Sequence, residues 1–196
     1  MKYNPEIHHR RSIRLKEYDY SQSGAYFITI CTQDRKCLFG EITDGAMVLN
    51  EYGKIADNEW HKLPNRYQHI ELDVFQTMPN HIHGIITVGA TLAVAQNDAI
   101  AQNIETGAKT GATARVAPTE INAITIGNIV GAYKSLVSKE CLNISKSKNE
   151  YMRRLWQRNY YEHIIRDDDG MNRVREYIQN NPLNWNSDQY NPLGSI

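Results

Sequence analysis

Two hydrophobic periods alternate along the chain, and that alternation restricts the fold more than any other feature. The stretches AYFITICTQD (residues 25–34), HIELDVFQTMP (69–79) and HIHGIITV (81–88) are rich in β-branched and aromatic residues, the mark of strands. Between them, CLFGEITDGAMVLN (37–50) holds Asp44-Gly45, a hairpin turn signal flanked by two short extended pieces. From Asn50, a candidate cap, the period lengthens: Tyr52, Ile55, Ala56, Trp60 and Leu63 recur at helical spacing until Pro64. The Pro79-Asn80 pair predicts a tight turn between the second and third long strands. A second helix is predicted from Ile124 to Cys141, with Ile126, Ile129, Val130, Tyr133 and Val137 on one face. RRLWQRNYYEHIIRD (153–167) is extended again. DDDGMNRVREYIQNNP (167–182) is a third helix, with acids in the first turn, where the helix dipole favours them, and Pro182 at its end. Strands, helix, strands, helix, strand, helix is the order of an α+β protein. The expected solution is a ferredoxin-like arrangement, a mainly antiparallel sheet with helices packed on one face.

One segment stands outside this plan. Residues 89–123 contain ten alanines and no aromatic residue, and they repeat themselves: AVAQN is followed by AIAQN, and GAT occurs at 89 and 111. Such a composition predicts a flexible insertion between a strand and a helix. The 196 residues then form one domain with a basic N-terminal arm over 1–23.

The chemistry concentrates in HIHGIITV. Side chains alternate faces along a strand, so His81 and His83 point the same way, their Cα atoms about 7 Å apart. Two imidazoles so placed can converge on one divalent ion; two separate histidines, each hydrogen-bonded at a strand edge, are the alternative. A third ligand and a reacting group must come from elsewhere. The last helix supplies candidates. Met171, Val174 and Ile178 form its apolar stripe, and Tyr177 and Asn181, four residues apart, share one edge of it. From that edge a tyrosine can reach an ion held by strand histidines, with the Asn181 amide oxygen beside it. A boundary tyrosine and a C-terminal asparagine cap are the plainer reading.

Taken together, MPNHIHGIITV, LWQRNYYEHIIRD and REYIQNNP, in that order, resemble the REP-associated tyrosine transposases. These belong to the single-tyrosine HUH transposases, named for a His–hydrophobic–His motif. The likeness runs from GAYFITICTQDR to Pro182. It implies that His81 and His83 are the HUH pair, Asn181 the third metal ligand and Tyr177 the nucleophile. It further implies a 5′-phosphotyrosine intermediate on single-stranded, hairpin-associated DNA, with Mg²⁺ or Mn²⁺ as the cofactor. Tyr160 and Tyr161 are then core or DNA-stacking residues. The long 89–123 insertion departs from the short connection the resemblance would lead one to expect.

Charge agrees with such a partner only locally. Lys+Arg and Asp+Glu are 22 each, but residues 134–158 hold seven basic residues against two acidic ones, a net +5. Candidate DNA contacts are Lys134, Arg153, Arg154 and Arg158 there, with Arg10, Arg11 and Arg14 in the N-terminal arm. Trp156, Tyr160 and Tyr161 are candidate base-stacking residues. Cys31, Cys37 and Cys141 form no CxxC pair, which suits a reducing cytoplasm and argues against a cysteine-based zinc site. No apolar run is long enough for a membrane span. A monomer or a homodimer is compatible with all of this. Two competing readings are a DNA-hairpin binder that does not cleave and a metal-dependent hydrolase in which water attacks.

Overall fold

A computed structural model describes residues 23–89 and 124–192. Four strands form one antiparallel sheet in the order β4-β5-β1-β6: β1 is Gly24–Cys31, β4 Ile70–Thr77, β5 His81–Val88 and β6 Tyr161–Ile165. Leaving aside the hairpin of β2 (Gly40–Thr43) and β3 (Ala46–Leu49), this is the ferredoxin-like strand order expected from the sequence. The Asp44-Gly45 turn closes that hairpin with φ of 52° and 74°, the double positive φ that a two-residue turn between right-twisted strands requires.

Helix α1 (Glu51–His61) starts where Asn50 accepts a hydrogen bond from the Gly53 N–H. Rather than running to Pro64, it ends at His61, and Pro64 sits in the first turn of the short α2 (Leu63–Arg66), where its missing N–H costs nothing. Helix α3 (Ile126–Ser147) outruns its predicted end at Cys141 and is opened by a Thr125–Asn128 capping box. Helix α4 (Asp168–Asn180) is capped by the Asp167 carboxylate, which accepts from the Gly170 N–H at 2.6 Å. The extended stretch 153–167 yields a strand only over Tyr161–Ile165. Ahead of it, Trp156 makes an isolated bridge to Thr32, just past the end of β1.

Alternation sorts the sheet into two faces. Tyr26, Ile28, Ile30, Ile82 and Ile86 pack with Trp60 of α1 and with Ile129, Val130, Tyr133 and Val137 of α3. On the other face Ala25, Phe27, Ile85 and Ile165 meet Met171, Val174 and Ile178 of α4. The two crossover helices thus share a face, while α4 departs from the one-face arrangement and covers the opposite side. The reason lies in β1 and β5, whose odd-numbered positions are also apolar towards their Val88 end and need a cover of their own. Burying Ile178 fully contributes roughly 1.5–3 kcal/mol to seating the helix. Arg175 completes the seat with a two-pronged pair to Asp73 of β4, at 3.0 and 2.5 Å.

Gly84, directly after the histidine pair, has a steric role. A Cβ there would come within 2.3 Å of the Trp60 indole, which lies against the strand and stacks on Phe75 at 4.7 Å. Gly84→Ala is expected to cost about 1–3 kcal/mol through overpacking, a drop of several degrees in Tm. An unchanged melting curve would mean that the indole can move aside freely.

Candidate active site

The site forms on the α4 face, at the end of the sheet where β5 begins. Register places Cys31 opposite His81 and Thr29 opposite His83, and sets Thr29 against Tyr161 on its other side. Both imidazoles are buried, at 0% and 1% exposure, and their Nε2 atoms approach to 3.0 Å. The Nδ1 atoms are held from behind: His81 by Asn80 Oδ1 and His83 by Thr29 Oγ1, each at 2.8 Å. The same-face placement predicted from the strand period is therefore present, and the two rings converge.

Tyr177 brings its hydroxyl to 3.3 Å from His83 Nε2. Its ring meets His83 at 5.2 Å and the edge of Phe27 at 6.0 Å, and the side chain is 41% exposed. Asn181 keeps helical angles (φ −59°, ψ −42°) although Pro182 follows, so the Tyr177–Asn181 alignment survives. Asn181 is 2% exposed, and its Nδ2 donates to the Asp188 carboxylate at 2.6 Å. A carboxylate only accepts, which fixes the amide orientation. The Asn181 Oδ1 is left buried without a hydrogen-bond partner, a costly arrangement unless something else uses it.

The electrostatics follow from burial. Loss of water pushes His81 down to about 4, against the upward pull of Asp188 and of the Asn181 amide, with Arg35 adding to the lowering. His83 is held well below its ordinary value by burial and by His81. Burial also pushes the Tyr177 phenol up to about 12, with Asp188, Tyr190 and Cys31 adding to the rise. Two neutral imidazoles and a free amide oxygen make a donor set that suits a divalent ion. Among the described residues no cluster of three or more His, Cys, Asp or Glu is arranged to hold a metal; beside the histidine pair, Asn181 is the further donor expected from the sequence.

Three residues at this site were not singled out in the sequence. Asp188 orients Asn181 and also accepts from the Tyr190 N–H at 2.6 Å. The Tyr190 ring lies 4.6 Å from His81 and 6.0 Å from His83, with the Arg35 guanidinium 5.3 Å above it. Asn80, read as half of a turn, ties His81 to two other segments. None carries a local signal, because each acts across a contact between distant parts of the chain.

The predicted DNA contacts divide. Arg10, Arg11 and Arg14, like residues 90–123 of the insertion, lie outside the described residues. Lys134, Arg153, Arg154 and Arg158 line one groove of about 480 Å³ between α3 and the 152–158 segment. Lys134 spends its N–H groups on the carbonyls of Gln157, Arg158 and Asn159, and burial with help from Arg154 pushes its ammonium down to about 8. It contributes charge to the groove and pins the turn before β6. Trp156, expected to stack on bases, does not: although it borders the groove, at 4% exposure it packs in the core beside Phe39 and Tyr133, its indole N–H on the Lys134 carbonyl, and its ring face is covered. Tyr160 packs on the α1/α3 side with its hydroxyl on Glu162, away from the histidines. Tyr161, 48% exposed, lies on the histidine face beyond Phe27, whose ring centroid is 6.4 Å away.

Among known proteins, the chain is 41% identical over 188 residues to a functionally uncharacterised protein of Haemophilus influenzae, covering 96% of each. A second protein of that organism, assigned to the REP-associated tyrosine transposases, is 25% identical over 166 residues, 84% of this chain and 73% of its own. A solved REP-associated tyrosine transposase bound to a REP hairpin shares the fold with a TM-score of 0.54. The match covers 88% of this chain and 74% of the other at 15% identity. No family model matches the sequence. Among the described residues no helix is long and apolar enough to cross a membrane.

Proposed function

The chain belongs to one family with its 41%-identical Haemophilus influenzae relative and is related to the REP-associated tyrosine transposases; on that premise we propose a metal-dependent DNA strand transferase. The observation that carries the proposal is the meeting of Tyr177 with the two Nε2 atoms, the buried and unpartnered Asn181 oxygen lying one helical turn further along. His81, His83 and Asn181 would hold Mg²⁺ or Mn²⁺. Such an ion, when bound, polarises a scissile phosphate and stabilises the charge that develops on it.

The protein's own part is positioning. Ile178, anchored in the core, sets Tyr177 at the rim, where the phenol stays reachable by a DNA backbone while its ring is held by Phe27 and His83. In the proposed step the Tyr177 oxygen bonds to phosphorus and loses its proton. The 3′ oxygen leaves and takes up a proton, so the products are a 5′-phosphotyrosine and a free 3′-hydroxyl. The tyrosyl link conserves the phosphodiester energy, and a second 3′-hydroxyl can reverse the attack and join strands without ATP. Single-stranded DNA is the proposed substrate, because one tyrosine attacking in line suits an exposed backbone. The hairpin on the solved transposase extends the proposal to strands beside a hairpin. Arg153, Arg154 and Arg158 would bind phosphates, and Tyr161 would stack on a base near the cleaved bond.

The deciding experiment incubates the protein with a hairpin-bearing single strand labelled at its 3′ end, with and without Mn²⁺, and resolves it on a denaturing gel. A Mn²⁺-dependent protein–DNA adduct is expected. Cut DNA without an adduct would mean that water attacks, and uncut DNA there with a shifted band on a parallel native gel would leave a hairpin binder.

A further inference from the structure

The two histidines of the pair are supported by chemically different partners, and the difference has a consequence. Asn80 is fully buried. Its Nδ2 donates to the carbonyls of Arg35 at 2.9 Å and of Tyr190 at 2.7 Å. Carbonyls only accept, so both amide hydrogens are committed and the orientation of the side chain admits no flip. Asn80 Oδ1 therefore faces His81 Nδ1, and an amide oxygen also only accepts. The hydrogen of that 2.8 Å contact belongs to His81 Nδ1, which leaves the His81 Nε2 lone pair bare. Thr29, by contrast, meets His83 Nδ1 with a hydroxyl, and a hydroxyl can donate or accept.

The two Nε2 atoms approach to 3.0 Å. Two nitrogen lone pairs cannot face each other at that distance unless a proton or a cation lies between them. Without a cation the proton must be on His83 Nε2, because Asn80 has already placed the His81 hydrogen on Nδ1. His83 Nδ1 is then bare and accepts from the Thr29 hydroxyl. With a divalent cation both Nε2 lone pairs are required, so the His83 hydrogen must reside on Nδ1, and Thr29 must accept it.

We propose that Asn80 locks His81 permanently in its Nδ1–H tautomer, whereas Thr29 lets His83 exchange tautomers when a divalent cation binds. Both are positioning residues. This rests on the proposed metal-binding reading of the pair. The exchange moves one hydrogen from Nε2 to Nδ1 of a neutral ring through solvent, with no net release of a proton. A threonine suits this position because its single hydroxyl serves both tautomers by rotation. The residue itself is buried, in register with His83 on one side and Tyr161 on the other.

The test reads ring nitrogens directly, without DNA or activity. Long-range ¹H–¹⁵N correlation spectra of the metal-free, ¹⁵N-histidine-labelled protein should show His81 with a protonated Nδ1 and a bare Nε2, and His83 with the reverse. Titration with Zn²⁺, a diamagnetic ion that imidazoles accept, should exchange the two His83 signals and leave His81 Nδ1 protonated. Thr29→Val keeps the shape and removes the hydroxyl; it should weaken Zn²⁺ binding about 10- to 100-fold, the usual size for a support behind a ligand. Thr29→Ser should restore both affinity and exchange. Metal-free His83 protonated on Nδ1, or His81 protonated on Nε2, would overturn the proposal. Thr29→Val binding Zn²⁺ as tightly as the parent would overturn the role of Thr29. If the metal-free tautomers are as stated but no ion binds, the metal reading and the exchange fall together, and the lock by Asn80 stands alone.

Discussion

Tyr177→Phe is expected to abolish DNA cleavage while leaving the protein folded and able to bind DNA. The change deletes one oxygen whose hydrogen bond to His83 is long, 3.3 Å, and it keeps the ring against Phe27 and His83. Its effect on stability should stay within about 0.5 kcal/mol, as for a half-exposed substitution that opens no cavity. Loss of the proposed attacking oxygen removes the covalent route altogether, so the defect belongs in kcat and not in binding. Mass spectrometry of a trapped adduct provides the direct check, with the nucleotide on a peptide containing residue 177. Tyr160→Phe leaves the attacking group in place, because that ring packs on the far side of the sheet and its hydroxyl serves Glu162. Tyr161→Phe should retain cleavage as well, since its ring lies beyond Phe27 from the histidines and phenylalanine can still stack. An adduct on residues 159–163, or full cleavage by Tyr177→Phe, would sink the assignment.

Removing the pair has the second large effect. His81→Ala with His83→Ala should eliminate the heat of Mn²⁺ binding in calorimetry and all metal-dependent cleavage. Two of three proposed ligands disappear, and the Asn181 oxygen that remains is a weak donor alone. Asn181→Ala is a milder companion. It removes the unpartnered oxygen, leaves the Asp188 carboxylate without the Nδ2 donor and keeps both imidazoles, so Mn²⁺ affinity should fall without vanishing. Undiminished Mn²⁺ binding by the double variant would place the ion elsewhere.

The residues expected at the site divide according to the range of the forces that place them. Strand and helix periods, the Asn50 cap, the Asp44-Gly45 turn and the common facing of His81 and His83 depend on backbone dihedrals over a few residues, and each was legible locally. So was the shared edge of Tyr177 and Asn181, which needs only a helical turn. Trp156 reads as a stacking residue from the sequence, since it lies in a locally basic stretch. Its burial comes from Phe39, more than a hundred positions earlier, and from the bridge to Thr32.

What the tertiary structure alone decided is the environment of the histidines. Asn80 meets Tyr190 across 110 positions, Thr29 meets His83 across 54, and α4 reaches the histidine face because the opposite face is already filled by α1 and α3. Local sequence therefore determined which groups could do chemistry and which way they point along their own element. Strand order and the competition for apolar faces determined which of them meet, which side chain stands behind each imidazole, and which amide oxygen is left without a hydrogen-bond partner. Those pairings are free-energy minima of the whole packed chain, so no window of sequence contains them.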